Sequence, residues 1–328
     1  MPVSLMQTYA IFGHVLRSEI DFPELRTLAG ADPRWTLRRS RRQPPLNGAR
    51  LLGEEDTGDG THVRLYARTS PHGYRLEYDD STGAFDVSAD GREMTWFPAA
   101  NPNDEMVRLH IIGRVFATAL HASGMYCLHG SGVALGDGAV GFAAPRFWGK
   151  STLALALTQS GARLVSDDTL PIHPDGHPLM LWPGVHSVRL WGDSAARIAG
   201  QESPRDANPF AAKRTLSAFP DQRLASRPEP LSAIYLLAPH EGNGHSPAVR
   251  RTPVPPVAAA LALIGHAKIG ALLGKFEARR IFDRAVRVAS GTPVYRLDLP
   301  RDFEHIDEVA AQLFEWHDGC AAPEGSRS

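Results

Sequence analysis

Cysteine is scarce in this chain of 328 residues. Cys127 and Cys320 are its only two, and they make neither a disulfide framework nor a zinc set. They fit a reducing, cytoplasmic setting. The 14 histidines do not cluster at metal-ligand spacing, so no zinc site is expected. Excess charge of either sign is also missing. Lys and Arg number 35 against 36 for Asp and Glu, so no global field draws the chain to nucleic acid or to an anionic membrane. The arginine-rich run at 34–42 is local and reads as a solvated edge or linker. The longest apolar stretches, such as 257–265, are too short to span a bilayer. The first residues carry no basic segment followed by an apolar core, so no signal peptide is expected.

Organisation changes along the chain. Residues 1–103 are read as a β-rich region. Strands are expected at 9–15, 62–69, 74–78, 84–89 and 93–97, with a short run at 51–52. Asp59-Gly60, His72-Gly73, Thr82-Gly83 and Asp90-Gly91 supply turns, which points to an antiparallel sheet. The stretch 34–45 reads as an irregular surface connection. From 104 the period becomes helical: Val107, Ile111, Ile112, Val115, Phe116, Ala119 and Leu120 recur on one face, behind Asn103 and Asp104 as caps. Residues 104–319 then read as a strand-and-helix unit, with helices expected at 151–160, 257–273, 277–289 and 303–316. Residues 195–230 are polar and weakly periodic. The tail 320–328 is small and polar and reads as disordered.

The most informative stretch joins an apolar run at 139–143 to a helical pattern through Ala144-Pro145-Arg146-Phe147-Trp148-Gly149-Lys150-Ser151-Thr152. Gly-Lys-Ser at a helix start is the core of a phosphate-binding loop. Backbone N–H groups cradle phosphates, the lysine reaches the outer ones, and the hydroxyl meets Mg²⁺. The usual pattern has glycine at 144, where this chain has alanine, and Arg146, Phe147 and Trp148 are bulky. Three readings stay open: a working loop, one that has lost nucleotide binding, or a chance Gly-Lys-Ser. Alanine fails there only if the backbone needs positive φ. Beyond the following helix, Leu164-Val165-Ser166-Asp167-Asp168 ends an apolar strand in two carboxylates. Such a pair can hold a metal and orient a nucleophile. It can also be a turn that uses aspartate for local hydrogen bonds. Asp167 is favoured as base. Asp168, with Ser151, is placed on the metal side.

The ordered segments Tyr126-Cys-Leu-His-Gly-Ser-Gly-Val-Ala-Leu, the phosphate loop, and Leu164-Val-Ser-Asp-Asp resemble the C-terminal catalytic domain of HPr kinase/phosphorylase and its relatives. That core is similar to the ATP-dependent phosphoenolpyruvate carboxykinases. Ile20-Asp-Phe-Pro-Glu-Leu, Pro183-Gly-Val-His-Ser-Val-Arg-Leu-Trp, Lys213-Arg214 and Pro230-Leu-Ser-Ala-Ile-Tyr-Leu-Leu resemble a shorter branch, which includes the peptide serine kinases of lasso-peptide gene clusters. The resemblance implies an α/β fold with a phosphate-loop core, a β-rich antiparallel N-terminal region, and ATP and Mg²⁺ as cofactors. It implies that His129 sits beside the acceptor and Arg189 near the phosphates. The Glu-Ile-Arg-Gly signature of the bifunctional enzyme is absent, which speaks against a phosphorylase activity.

The expected function is therefore transfer of the γ-phosphoryl group of ATP to a Ser or similar hydroxyl of a peptide or small protein. A non-catalytic nucleotide- or peptide-binding module and a small-molecule kinase are the alternatives. No nucleic-acid or membrane partner is expected, and a homo-oligomer is left open.

Overall fold

The structure is a computed structural model. It describes residues 6–57, 60–185, 188–191, 213–216, 221–240, 249–300 and 304–317, with the backbone alone at 188–191, 213–216 and 221. Most of the polar stretch 195–230 and the whole tail 320–328 lie outside the described residues.

Period-two burial builds the first layer. The strands β1 (Gln7–Ile11), β2 (His14–Ser18), β3 (Trp35–Arg39), β4 (Arg50–Asp56), β5 (His62–Thr69), β6 (His72–Tyr78), β7 (Gly83–Ser88) and β8 (Glu93–Pro98) form one sheet. Its order is β1-β2-β3-β8-β7-β6-β5-β4. Leu16, Leu37, Val63, Leu65, Leu76 and Phe85 are fully buried. Strands β4 to β8 form the expected antiparallel meander. The sheet as a whole is mixed, however: β3 pairs in parallel with both β2 and β8. The segment between β2 and β3 is long enough to cross back, so β3 runs in the direction of β2.

Two further expectations are corrected here. The single strand at 9–15 is a hairpin. It turns at Phe12 (φ 47°) and Gly13 (φ 69°), both left-handed as a two-residue hairpin turn requires. A left-handed phenylalanine costs about 1–2 kcal/mol. Burying its ring, which packs 5.4 Å from Phe116 and 6.4 Å from Trp35, recovers a comparable ~1.5–3 kcal/mol. The stretch 34–45 is not a surface connection throughout. Trp35 and Leu37 point into the core, and the arginines that follow obscure their alternation.

A helical span carries the chain to the second layer. Asn103 accepts the N–H groups of Glu105 and Met106 and caps α1 (Asp104–His110). A π-helical turn, Ile111–Val115, separates it from α2 (Phe116–Ala122).

The remaining elements are β9 (Tyr126–Leu128), β10 (Gly130–Leu135), β11 (Gly138–Ala143), α3 (Lys150–Gln159), β12 (Arg163–Asp167), β13 (Leu170–His173), β14 (Met180–Leu181), β15 (Val188–Trp191), β16 (Lys213–Leu216), β17 (Glu229–His240), β18 (Arg250–Pro253), α4 (Pro256–Gly265), α5 (Gly270–Leu273), α6 (Ala278–Gly291), β19 (Val294–Pro300) and α7 (Ile306–His317). Strand order in the second sheet is β12-β10-β11-β17-β14-β13-β9, with β19 on β17 and β18 outermost. β11 and β19 flank β17 in parallel, as the α/β reading requires, whereas β10 runs antiparallel to β11 and β12. The chain is thus a mixed α/β protein with two large sheets.

Two apolar clusters pack these layers. In one, α3 and α7 cover the second sheet through Leu153, Leu157 and Leu313 against Phe142, Tyr235 and Leu297. The other runs from Tyr9 to Val294 and joins the first sheet to α2, α4 and α6. The approach is close: a Cβ on Gly53 of β4 would stand 2.5 Å from the carbonyl oxygen of Ala271 in α5.

The expected helix at 257–273 is two helices. Between α4 and α5 the backbone is drawn to the end of β9: His129 N–H donates to the His266 carbonyl (2.8 Å) and Lys268 N–H to that of Cys127 (2.9 Å). Those bonds outweigh one more helical turn between Gly265 and Gly270. No helix among the described residues is long and apolar enough to cross a membrane.

Candidate functional site

The loop 144–149 leaves the end of β11 and enters α3. Ala144 is buried and is not among the residues with positive φ, so glycine is not needed there. The left-handed positions are Phe147 (φ 67°) and Gly149 (φ 80°). Phe147 and Trp148 are 54% and 37% exposed and line the cleft beside the loop. Arg146 leans on the first sheet. It donates to the Thr57 carbonyl (3.0 Å) and lies 3.9 Å from Glu55, which also pairs with Arg114 of the π turn at 2.9 Å.

Lys150 opens α3 and is buried. Its Nζ donates to the carbonyls of Ala144 (2.9 Å) and Pro145 (3.0 Å), so the cation lies inside the curl of its own loop. The next hydroxyl, Ser151 Oγ, donates to Asp167 Oδ1 at 2.8 Å. Ser131 Oγ of β10 donates to the same oxygen at 2.5 Å. Thr152 lines the cleft beside them.

Asp168 faces elsewhere. Adjacent residues at a strand end point to opposite sides, and a left-handed backbone at Asp168 (φ 68°) completes the separation. Its Oδ2 pairs with Lys268 Nζ at 2.5 Å, and its Oδ1 lies 3.3 Å from His129 Nδ1. Burial pushes the Asp168 carboxyl up, but the Lys268 charge and the His129 contact outweigh it, and the group is held well below the usual carboxylate range. Burial pushes the His129 imidazole down. The Asp168 hydrogen bond offsets part of this, and the charges of Lys268 and Lys150 reinforce it. His266 is lowered by burial and then by the Lys150 charge.

One cleft of about 630 Å³ holds both groups. The loop residues 144–152, His129, Asp167 and Asp168 all line it. Arg189 is on β15, paired with Thr215, and its side chain lies outside the described residues. Asp167, expected as the base, lies against Ser151, and Asp168, expected on the metal side, lies against Lys268 and His129 instead. Sequence reasoning missed Ser131, Glu55, Arg114 and Lys268. Ser131 was two residues from His129 and within reach of a pairing argument for the β10–β12 neighbours. Lys268 carried no local signal, since its position reads as the interior of a helix.

The donors fit a small hard cation. Ser151 Oγ and an Asp167 carboxylate oxygen, 2.8 Å apart, are the kind of pair that binds Mg²⁺ while waters and phosphates complete its shell. Among the described residues no group of three or more His, Cys, Asp or Glu side chains could hold a metal by itself.

No protein-family model and no curated protein matches the chain. Among solved structures it is similar to the Hpr(Ser) kinase/phosphatase from Coxiella burnetii. That match has 14% identity and a TM-score of 0.30, over 59% of this chain and 99% of the other.

Proposed function

We propose that the chain is an ATP-dependent kinase with a phosphate-loop core, acting on a hydroxyl of a peptide or small protein. One observation carries this reading: Ser151 Oγ meets Asp167 at 2.8 Å beside the buried Lys150, in the cleft that Asp168 also lines. The N-terminus of α3 and Lys150 bind the triphosphate. Ser151 and Asp167 hold Mg²⁺, which neutralises phosphate charge when bound. Asp168 orients the acceptor hydroxyl and takes its proton as the oxygen bonds to the γ-phosphorus and the β–γ bridge breaks, leaving ADP. His129, its imidazole pushed down by burial, positions Asp168. Arg189 is assigned to the phosphates on the family resemblance alone.

Calorimetry of Mg²⁺–ATP tests the reading. Wild type binds and Lys150→Ala binds about 10–100-fold more weakly; a folded wild type that binds no nucleoside triphosphate overturns it. A binding module without turnover is the second reading, and one observation favours it. Asp168 already has its charge matched by Lys268, which makes it a weak base. Release of ADP in the presence of acceptor peptides separates the two.

A further inference from the structure

We infer, resting on the kinase reading, that the acceptor is a peptide with large apolar residues beside its hydroxyl, docked along the outer face of α4. Ordinary surface helices bury one apolar stripe and turn polar residues outward. α4 does not. Its sequence, Pro-Val-Ala-Ala-Ala-Leu-Ala-Leu-Ile-Gly, has no charged or hydrogen-bonding side chain. Ala259, Ala260 and Leu263 already fill the core side. Val257 and Leu261 remain 76% and 61% exposed.

The exposed stripe has a direction. The exposed Val257 and Leu261 are followed at helical spacing by Ile264, half-buried against the core, so the three share a face. Ile264 lines the cleft, and just beyond the helix end comes Lys268, bonded to Asp168. An apolar track therefore ends at the group assigned to the acceptor. Trp148 and Phe147 on the phosphate loop line the same cleft and are exposed as well. A helix of this length spans ~15 Å, which matches four or five residues of extended peptide at ~3.3 Å each. A second copy of the chain is a poorer occupant. A stable dimer covers about 800 Å² per partner, well beyond three side chains on one short helix. Charged residues next to the hydroxyl find no counter-charge along α4, so the track selects against them.

The experiment uses the full chain with Mg²⁺–ATP and a positional-scanning library of serine-centred peptides. Wild type is expected to select Leu, Ile, Val or Phe on one side of the serine. Leu261→Glu should erase that selection and raise the peptide KM by about tenfold or more, leaving nucleotide binding unchanged. No apolar preference in wild type, or the same preference in Leu261→Glu, overturns the docking proposal while the kinase reading stands. A fluorescein-labelled leucine-flanked serine peptide, followed by anisotropy, reads docking without turnover. Binding that Leu261→Glu abolishes supports the track even if no phosphoryl group is transferred, in which case only the kinase reading falls. Absence of peptide binding overturns the track. A wild-type dimer that Leu261→Glu dissociates overturns it too, by assigning the stripe to a second copy.

Discussion

The two walls of the cleft are assembled in opposite ways. On one, Lys150, Ser151 and Asp167 come from a single strand–loop–helix–strand passage, and Ser151 and Asp167 are 16 residues apart. On the other, His129, Asp168 and Lys268 come from three separate segments, and Asp168 and Lys268 are 100 residues apart. The first wall follows one continuous stretch of chain, held in register by β10 and its Ser131 between β11 and β12. The second exists only when the segment after α4 is tied to β9. The wall built on Lys268 can therefore be altered by changes that leave the Lys150 wall intact, and this separation can be tested residue by residue.

The largest effect should come from Asp168→Asn. We expect turnover to fall by about 10²–10⁴, the usual cost of removing a general base, with nucleotide affinity changed by no more than about threefold. Parallel losses in calorimetry and steady-state rates would merge the two walls into one functional unit. Lys150→Ala comes next. Losing a charge-assisted contact costs about 1.5–3 kcal/mol, hence about 10–100-fold in ATP affinity by calorimetry. Asp167→Asn should raise the Mg²⁺ concentration needed for half-maximal nucleotide binding by about tenfold. If Asp168→Asn does this instead, the assignment of the aspartates returns to the sequence-based one.

Lys268→Met probes the long-range ion pair through pH. Burial alone raises the Asp168 carboxyl, and the Lys268 charge is the first influence opposing it. Removing that charge moves the acid limb of the pH–rate profile to higher pH. Stability follows the same sign. The depressed carboxyl stabilises the fold above the ordinary carboxylate range, and that contribution is lost as pH falls through its folded value. The variant should therefore begin acid unfolding at higher pH than wild type, as followed by circular dichroism. Arg146→Ala should matter least. Its side chain is more than half exposed, so its ties to Thr57 and Glu55 should change ATP affinity by about threefold at most.

The arrangement of Lys150, Ser151 and the aspartates at one end of the second sheet was legible in the sequence because the loop and the strand that carry them are close along the chain. A glycine free to adopt φ 80° precedes a lysine and a hydroxyl at a helix start, and the carboxylates end the next apolar strand. Which aspartate faces Ser151 was not legible. Alternation assigns adjacent side chains to opposite faces but does not say which face meets α3. Pairing with Ser131 across β10 and β12 decides that, and it is a tertiary fact. Lys268 was hidden for a related reason. The apolar period of 257–273 favours one helix, and only backbone bonds to β9 break it. In the first sheet, β5 to β8 were read closely because each is bounded by glycine turns. β3 was lost because Arg38 and Arg39 dominate a short strand whose two buried residues, Trp35 and Leu37, precede them.

The π turn between α1 and α2 has a consequence for the tolerance of this cleft to length change. Five residues, Ile111–Val115, occupy a wider coil than an α-helix would allow, while the regular helices on either side keep their own buried faces. The span thus holds one spare residue. Deleting Gly113, beside which an added Cβ would meet nothing within 4 Å, lets the coil tighten to α-helix without turning α2 out of phase. The deletion would instead rotate Arg114 away from Glu55, the carboxylate against which Arg146 of the loop also leans. A single codon lost here would reshape the rim of the cleft and spare the fold beneath it.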